Sequence, residues 1–431
     1  MSDNVVQLPR PKDARTAPAR LGLYLRVGRN QHGDLLEVLS AGERDFHGIV
    51  VDATYAADRH AEIISYALQA QLDVVLDPKT HAMALPGSYS ASMSKVPWGL
   101  DRHHNVNDFA GNKGRDIATQ IAAFAHKYRF TQVLGPTHII NGANDPWLRR
   151  DVDAMSHLRT ALQSGQSSIE LIYPLAVSIK TLRDPLERSA LIAALADAPM
   201  DAIWLRIENF GSDATGEKTV SYIQAAREFH ALGVPVIGDH VGGLSGLGVL
   251  AAGAVGGIAH GITLLEGFKA SEWRRPRKQG GGLPPTRVYI PKLDILLKPD
   301  EAAAFLRSST RARGRYGCGD THCCPRGIPD MLNNPTRHFV HQRSAEVARI
   351  SEAPESIRVS EYLERCVRPI SDDVSAASGL SAISNELKKK LAKKQKALGL
   401  YRQTFAHFAE LDKNTTVSRA PQLRSARYRS E

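Results

Sequence analysis

The 431-residue chain has only four cysteines, and no apolar run approaches the ~18–20 residues needed to cross a bilayer. Its first twenty residues lack the apolar stretch of a secretory signal, so we interpret 1–20 as a disordered tail and expect a cytoplasmic protein without a membrane partner. Cys318, Cys323 and Cys324 fall within seven residues, and Cys366 is the fourth cysteine. This spacing is typical of a metal-binding loop in a reducing compartment and argues against a disulfide framework.

Short apolar runs alternate with amphipathic helical patterns from residue 21 to residue 265. Eight runs are nearly continuous in apolar residues, as parallel strands buried on both faces are. These runs are Leu21–Val27, His47–Ala53, Leu72–Leu76, Thr131–Leu134, Ser168–Leu175, Ala202–Ile207, Val234–Ile237 and Gly257–Thr263. Eight strand–helix units predict an α/β protein, a (β/α)8 barrel of the TIM type. A doubly wound open sheet has the same alternation, but no G-x-G-x-x-G follows the first strand.

Two segments are longer than ordinary loops and are therefore expected to be functional or disordered. The segment 78–113 contains Trp98, and we predict a lid over the barrel mouth. The second segment begins after the eighth strand and contains three of the four cysteines. We divide the chain into a tail (1–20), the barrel (21–267), a basic Cys/His insert (268–343), a helical closure of the barrel (344–368), and a linker, basic helix and tail (369–431).

Basic side chains outnumber acidic ones by 55 to 45, and the excess is concentrated late in the chain. Three clusters carry it: Arg274, Arg275, Arg277 and Lys278; Arg307, Arg311, Arg313 and Arg315; and Lys388, Lys389, Lys390, Lys393, Lys394 and Lys396. A positive field of this kind favours a polyanion such as nucleic acid. The alternative is a solvated basic surface without a partner.

The active site of a (β/α)8 barrel lies at the carboxyl ends of its strands, and this rule selects candidate residues. They are Asp52, Asp77, His138, Arg206, Glu208, Asp239, His240 and His260. Carboxylates and imidazoles there can act as acids, bases or nucleophiles, whereas the structural alternative is a helix cap or an ion pair. Gly242 and Gly243 follow the seventh strand, where barrels often hold a phosphate, although a tight turn also explains them.

The most motif-like stretch is Tyr-Gly-Cys-Gly-Asp-Thr-His-Cys-Cys-Pro-Arg-Gly at 316–327. Zinc takes four Cys or His ligands, and a closed shell of this kind makes the ion structural. The shell that we predict is Cys318, Cys323, Cys324 and His338. The alternatives for its fourth position are His322, His341 and Cys366. A loop of free thiols without metal is the other interpretation.

A barrel followed by a Cys/His excursion and C-terminal helices resembles the tRNA-guanine transglycosylase superfamily, which includes relatives that modify DNA bases. The likeness spans about 21–366. Val-Val-Leu-Asp77 is similar to the strand that ends in the family's base-side aspartate, and 235–258 is similar to its glycine turn, helix and final strand. The chain differs in having Cys-x4-Cys-Cys for Cys-x-Cys-x2-Cys, and His260 where the family has its nucleophilic aspartate.

The resemblance implies a base-exchange enzyme, a glycosyltransferase acting on a purine-like base in tRNA or DNA, with structural zinc. Asp77 would contact or deprotonate the base, and Asp239, or else Asp52, would be the nucleophile or would stabilise charge on the sugar. Glu208, His240 and His260 complete the predicted catalytic set, and the predicted substrate-binding set is Trp98, His138, Arg206, Gly242 and Gly243. The resemblance also allows homodimerisation through the insert. Two other functions stay open: a barrel enzyme acting on a small phosphorylated metabolite, and a non-catalytic nucleic-acid-binding barrel.

Overall fold

The computed structural model describes residues 20–42, 45–165, 168–264, 266–275, 286–414 and 423. Nearly all of the predicted N-terminal tail lies outside these residues, as do Arg277 and Lys278 of the first basic cluster. Within the described part of the chain, no helix combines the length and the apolar character that crossing a membrane requires.

Eight parallel strands pair in sequence order and close into a barrel. They are β1 (Gly22–Arg26), β2 (Gly48–Asp52), β3 (Asp73–Asp77), β4 (Gln132–Leu134), β5 (Glu170–Ser178), β6 (Ala202–Glu208), β7 (Val236–Asp239) and β8 (Gly257–Gly261). Closure is made by β1 and β8, which pair with Tyr24 opposite Ala259. The predicted barrel is therefore confirmed, and the open-sheet alternative is wrong.

Side chains alternate between the inside of the barrel and the surrounding helices, because a strand has a period of two residues. The inward set includes Tyr24, Val75, Trp204 and Ile237, which pack together in the barrel interior. Two residues further along each of these strands, the inward positions are polar. They are Arg26, Asp77, Arg206 and Asp239. The strand pattern alone therefore directs four charged side chains toward the barrel axis at its mouth.

Among the described residues, ten α-helices accompany these strands. They are α1 (His32–Ser40), α2 (Ala53–Ala56), α3 (Ala61–Gln69), α4 (Thr80–Met83), α5 (Gly111–Lys127), α6 (Pro146–Ser164), α7 (Ile179–Arg183), α8 (Pro185–Leu195), α9 (Glu217–Phe229) and α10 (Gly243–Ala251). Helix α8 begins as its sequence predicts: Asp184 accepts hydrogen bonds from the Leu186 and Glu187 amides, and Pro185 occupies the first helical position.

The segment 78–113, which we predict to be a lid, is folded and begins at the mouth of the barrel, directly after β3. It contains α4 and short 3₁₀ turns, and Trp98 within it is only 2% exposed. The Trp98 Nε1–H donates to the Pro78 carbonyl at 3.0 Å, and its ring meets Phe124 edge to face. The structure therefore places Trp98 in the core, whereas the sequence predicts it as a substrate-binding residue. The apolar ring gains more from burial than from facing the mouth.

The excursion after β8 has its own secondary structure. A two-stranded antiparallel sheet, β9 (Val288–Ile290) with β10 (Ile295–Leu297), is followed by helices. These are α11 (Pro299–Arg307), α12 (Thr310–Tyr316), α13 (Ile328–Asn333), α14 (Pro335–Glu352), α15 (Arg358–Tyr362), α16 (Arg368–Ser378) and α17 (Asn385–Asn414). The first residues of the predicted linker, basic helix and tail (369–431) belong to helix α16. Pro369 does not prevent this helix, because a proline is compatible with a first turn.

Helix α17 confirms the predicted basic amphipathic helix. Leu387, Leu391, Leu398 and Phe405, which the sequence places near one side, are all buried. Phe405 packs against α10 so closely that a Cβ at Gly248 would lie 2.3 Å from its ring. The apolar side of α17 therefore belongs to the core that surrounds the barrel.

Candidate active site and metal centre

The four inward-facing charges at the mouth form a closed ring of ion pairs, which we call the ionic quartet: Arg26, Asp77, Arg206 and Asp239. Arg26 donates to Asp77 through Nη1 (2.8 Å) and to both oxygens of Asp239 through Nε (2.8 Å) and Nη2 (2.7 Å). Arg206 donates to Asp239 through Nε (2.8 Å) and to Asp77 through Nη2 (3.3 Å). All four side chains are buried.

The quartet holds both carboxylates in their ionised form. Burial alone would raise the pKa of Asp77, but the guanidiniums of Arg206 and Arg26 outweigh it and hold the pKa well below its ordinary value. The same balance lowers the pKa of Asp239. Every oxygen of the two carboxylates already accepts an N–H, since Asp77 Oδ1 accepts from the Lys79 amide at 2.9 Å. These carboxylates suit charge stabilisation better than the proton transfer predicted for Asp77.

Two neutral histidines lie beside the quartet. His81 is buried and accepts from Arg206 Nη1 at 2.7 Å, and burial together with the nearby Arg206 charge lowers its pKa. His240 follows β7 in a left-handed conformation (φ 59°), with its Nε2 4.0 Å from Asp239 Oδ1. Burial lowers the pKa of His240 to about 3, so its imidazole is neutral at physiological pH. A neutral imidazole can both accept and donate a proton.

Glu208 is a carboxylate at the mouth with one oxygen that accepts no hydrogen bond from the described residues. It is 3% exposed and lies two residues beyond Arg206 on β6. Its Oε2 accepts from Arg274 at 3.2 Å, whereas its buried Oε1 has no hydrogen-bond partner among the described residues. Of the predicted carboxylates, Glu208 is therefore best suited to accept a proton or attack a substrate.

Asp52 caps a helix, which is the structural alternative that the sequence analysis gives for such a carboxylate. Its Oδ1 accepts from the Thr54 amide (3.0 Å) and hydroxyl (2.8 Å), which caps the amino end of α2. Its Oδ2 lies 3.6 Å from Lys79 Nζ. The geometry therefore accounts for Asp52 as a helix cap and does not bring it into the quartet.

A short segment, Glu266–Arg275, covers the mouth, and we call it the mouth cover. The ring of Phe268 lies 5.9 Å from the Arg206 guanidinium and 5.5 Å from the His240 ring. The Phe268 carbonyl accepts from the Asn209 amide at 3.0 Å, and the Trp273 carbonyl accepts from the Gly87 amide at 2.7 Å. The cover therefore places an aromatic ring against Arg206 of the quartet and against His240 beside it.

Sequence reasoning missed three residues of this site: Arg26, His81 and Phe268. Arg26 ends the first apolar run just as Asp77 ends the third, so the strand-end rule could have found it. His81 and Phe268 carry no comparable signal, because their positions depend on how two loops fold over the mouth.

Two predicted site histidines face away from the mouth. His260 occupies an outward position of β8, where its ring meets Phe339 of α14 at 5.8 Å. His138 stacks on Trp147 at 3.6 Å, and its Nδ1 lies 2.7 Å from Asp151 Oδ1. The structure therefore places neither His260, predicted as catalytic, nor His138, predicted as substrate-binding, beside the quartet. His260 is adjacent on β8 to Ala259, which faces the barrel interior, and neighbouring residues of a strand point to opposite faces.

The glycine turn after β7 is filled by the protein's own carboxylates. A Cβ at Gly242 would lie 2.4 Å from the Oε1 of Glu266, and this oxygen also accepts from Arg343 at 3.2 Å. Asp294 accepts from the Leu244 amide at the start of α10, at 3.2 Å. Glu266 and Asp294 thus lie at the turn where the sequence predicts that Gly242 and Gly243 bind substrate. The glycines leave room for a buried cluster of ion pairs formed by Glu266, Asp294 and Arg343. The two carboxylates of this cluster lie where a bound phosphate would place its negative charge.

The metal-ligand prediction concerns four residues that the structure brings together: Cys318, Cys323, Cys324 and His338. Their ligand atoms all lie within 4.8 Å of one another. The Sγ atoms of Cys323 and Cys324 are 3.6 Å apart, and His338 Nδ1 is 3.3 Å from the first and 3.5 Å from the second. Zn–S and Zn–N bonds of about 2.3 and 2.0–2.1 Å in a tetrahedron require separations of roughly 3.6–3.8 Å. The donor set therefore fits a zinc ion.

Local structure explains why these ligands converge. Asp320 Oδ1 accepts from the amides of His322 (2.9 Å) and Cys323 (3.1 Å), which turns the two adjacent cysteines inward. His338 Nε2 lies 3.1 Å from the Tyr289 carbonyl, an arrangement that leaves Nδ1 free for a metal. The alternative ligands lie elsewhere: His322 and His341 contact each other at 5.3 Å, and Cys366 lines a separate cavity beside Arg349.

The buried histidines predict acid sensitivity. Burial lowers the pKa of His60 and His104 to about 4, and that of His240 and His260 to about 3. Below pH ~6.5 these histidines are protonated in the unfolded chain but stay neutral in the folded chain. The free energy of unfolding therefore falls as the pH drops toward the folded pKa values. Each histidine should cost roughly 1.4 kcal/mol by pH 5.5.

Urea unfolding at pH 7.5 and pH 5.5 checks this prediction. The midpoint should fall at the lower pH, and His260→Phe should reduce the difference by one histidine's share. The exposed His103 provides a control position, His103→Gln, which should keep the wild-type difference. Equal wild-type stability at both pH values would contradict the prediction.

Comparison with known proteins supplies no family. The chain matches no protein-family model and no curated protein. Among solved structures, it is similar to a GH10 xylanase from Bispora sp. MEY-1 at 10% identity and a TM-score of 0.38, over 56% of this chain and 83% of that one. It is also similar to KGPDC from Streptococcus mutans at 14% identity and a TM-score of 0.35, over 59% and 95% of the two chains. Likenesses this remote carry no argument about function.

Proposed function

We propose that this chain is a barrel enzyme that exchanges a base in nucleic acid at its N-glycosidic bond, as the resemblance to tRNA-guanine transglycosylases implies. The observation that carries the proposal is the assembled Cys3His group. It lies in an excursion between β8 and the C-terminal helices, which is the position that the resemblance gives to a structural zinc site. A zinc ion held by all four ligands would brace the excursion and leave no position open for catalysis.

The mouth residues suit the charges of such a reaction. When the glycosidic bond breaks, its electron pair leaves with the departing base, and the sugar carbon becomes positive. The ionised Asp77 and Asp239 would stabilise that positive charge from below. The free Oε1 of Glu208 would bond to the sugar carbon as the first base departs, and the incoming base would then attack the same carbon and return the electron pair of that bond to Glu208. The neutral His240 would give a proton to the departing base and take one from the incoming base. The departing base needs one proton and the incoming base releases one, so the exchange balances.

The test is incorporation of radiolabelled guanine into unfractionated tRNA and into double-stranded DNA, measured as acid-precipitable label. The wild-type chain should incorporate label into one of the two. Glu208→Gln should lower the rate by about 10²–10⁴-fold, the usual range for removing a catalytic acid or base. Asp197→Asn is the matched control and should keep the wild-type rate, because Asp197 is exposed and lies between the end of α8 and the start of β6, at the end of the barrel opposite the mouth.

Absence of incorporation into either nucleic acid, by a chain that holds zinc, would overturn the base-exchange proposal. A barrel enzyme acting on a small phosphorylated metabolite is the second candidate, and its phosphate would have to bind elsewhere than the turn after β7, where Glu266 and Asp294 lie.

A further inference from the structure

The five lysines of α17 between residues 388 and 394 divide into a paired and an unpaired set. Lys390 forms an ion pair with Glu301 at 2.8 Å, and Lys394 forms one with the buried Asp294. Lys388, Lys389 and Lys393 are exposed, and none has an ion-pair partner among the residues that the structure describes. The paired lysines attach α17 to the protein, and the unpaired lysines leave a positive charge facing the solvent.

The direction of α17 places these unpaired lysines at the mouth end of the barrel. Helix α10 begins at the mouth and runs away from it, as helices in a (β/α)8 barrel do. Lys394 meets Asp294 at the first residues of α10, Phe405 packs on Gly248 further along, and Phe408 contacts Arg227 near the end of α9. Helix α17 therefore descends alongside α10, and its nine residues before Lys394 extend ~14 Å beyond the start of α10, on the mouth side.

Other exposed cations adjoin this part of α17. Helix α11 is tied to it through the Glu301–Lys390 pair, and α12 is tied to the neighbouring α16 through Arg315 and Asp373. These two helices add the exposed cations Arg307, Arg311 and Arg313. Over the mouth itself, the cover contributes Arg274 and Arg275, both exposed. Cations from all three sequence clusters are therefore found on the cover, on α11 and α12, and on the mouth-side end of α17.

We infer that the first turns of α17 form a docking surface for the phosphodiester backbone of the nucleic acid whose base enters the mouth. This inference rests on the proposed function and deepens it, because it names the surface that would hold the substrate outside the pocket. Lys389 and Lys393 are one helical turn apart, about 6 Å along the axis, which is close to the spacing of successive phosphates on one strand. The surface makes no base-specific contact, so it positions the substrate without selecting a sequence.

The experiment measures fluorescence anisotropy of a labelled 20-nucleotide single-stranded DNA, and of a labelled tRNA, over a range of salt concentrations. The variant Lys389→Gln/Lys393→Gln removes two cations from the docking surface. The control Arg20→Gln/Lys127→Gln removes two exposed cations from the opposite end, since Arg20 precedes β1 and Lys127 ends α5. All four side chains are exposed, so both variants should fold.

The docking-surface variant should bind about 10-fold or more weakly at 0.1 M salt. Its slope of log affinity against log salt should be smaller by about 1.4 for single-stranded DNA, which corresponds to two lost phosphate contacts. The control should match wild type. Equal losses of affinity in both variants would show that only the net charge matters and would overturn the inference. The inference would also be overturned if the wild-type chain bound neither nucleic acid, or if the docking-surface variant bound as tightly as wild type.

The labelled-guanine assay separates this inference from the proposed reaction. Binding that depends on Lys389 and Lys393 without any incorporation of guanine would keep the docking surface and reject base exchange. Incorporation that is unchanged in the docking-surface variant at every salt concentration would keep base exchange and reject the docking surface.

Discussion

The Cys323→Ser variant is expected to purify without the zinc ion that the wild-type chain should hold at about one per molecule. The ligand atoms of Cys323, Cys324 and His338 lie 3.3–3.6 Å apart, Cys318 completes a set within 4.8 Å, and removing one ligand opens the shell. Structural zinc contributes roughly 10–16 kcal/mol in small zinc-finger peptides. Because the helices around this site also pack against the barrel, we expect a smaller loss here, about 3–5 kcal/mol in the free energy of unfolding.

Elemental analysis together with thermal unfolding measures this effect. Cys366→Ser is the matched control, because Cys366 is also buried but lies outside the cluster, and it should retain the metal. His341→Ala should retain it as well, since the structure selects His338 as the fourth ligand. A wild-type chain without metal after expression with added zinc would refute the prediction, and so would a Cys323→Ser variant with full metal content.

Asp239→Ala is expected to destabilise the protein by about 3–5 kcal/mol and to abolish any activity at the mouth. The substitution leaves two buried guanidiniums facing each other with only Asp77 between them, and breaking a buried ion pair from one side costs about this much. Asp145→Ala removes a helix-capping carboxylate at the start of α6 and should cost only ~1 kcal/mol. Denaturant unfolding at pH 7 gives both values.

The pH dependence of this loss provides a second check. The folded pKa of Asp239 lies below its unfolded value, so its contribution is present above pH ~4 and is lost as the pH falls through the folded pKa. The difference between wild type and Asp239→Ala should therefore shrink below pH ~4. The double variant Arg206→Met/Asp239→Leu should be less unstable than either single change, because it leaves no unpaired charge from this pair. A loss below ~1 kcal/mol in Asp239→Ala would mean that the quartet is not the buried network described above.

Three features could be predicted from the sequence because short-range patterns determine them. The eight apolar runs were found at the right places, since a parallel strand buried on both faces is apolar throughout. The spacing of Cys318, Cys323 and Cys324 indicated a metal shell, because chain neighbours stay close in any fold. Helix α17 was recognised from its periodic leucines. The helix at 368–378 was missed because the proline and serines at its ends also suit a linker.

The sequence by itself determined a closed barrel, a Cys/His excursion after the last strand and a late excess of positive charge. Only the tertiary structure decided which side chains share a site. Arg26 and Asp239 are 213 residues apart, and barrel closure alone makes them partners. His260 lies outside the site because neighbouring residues of a strand point in opposite directions, and its side chain faces α14. Glu266 fills the glycine turn, and Phe268 covers the quartet, because a segment after β8 folds back over the mouth. Contacts of this kind depend on the whole chain, and no local pattern encodes them.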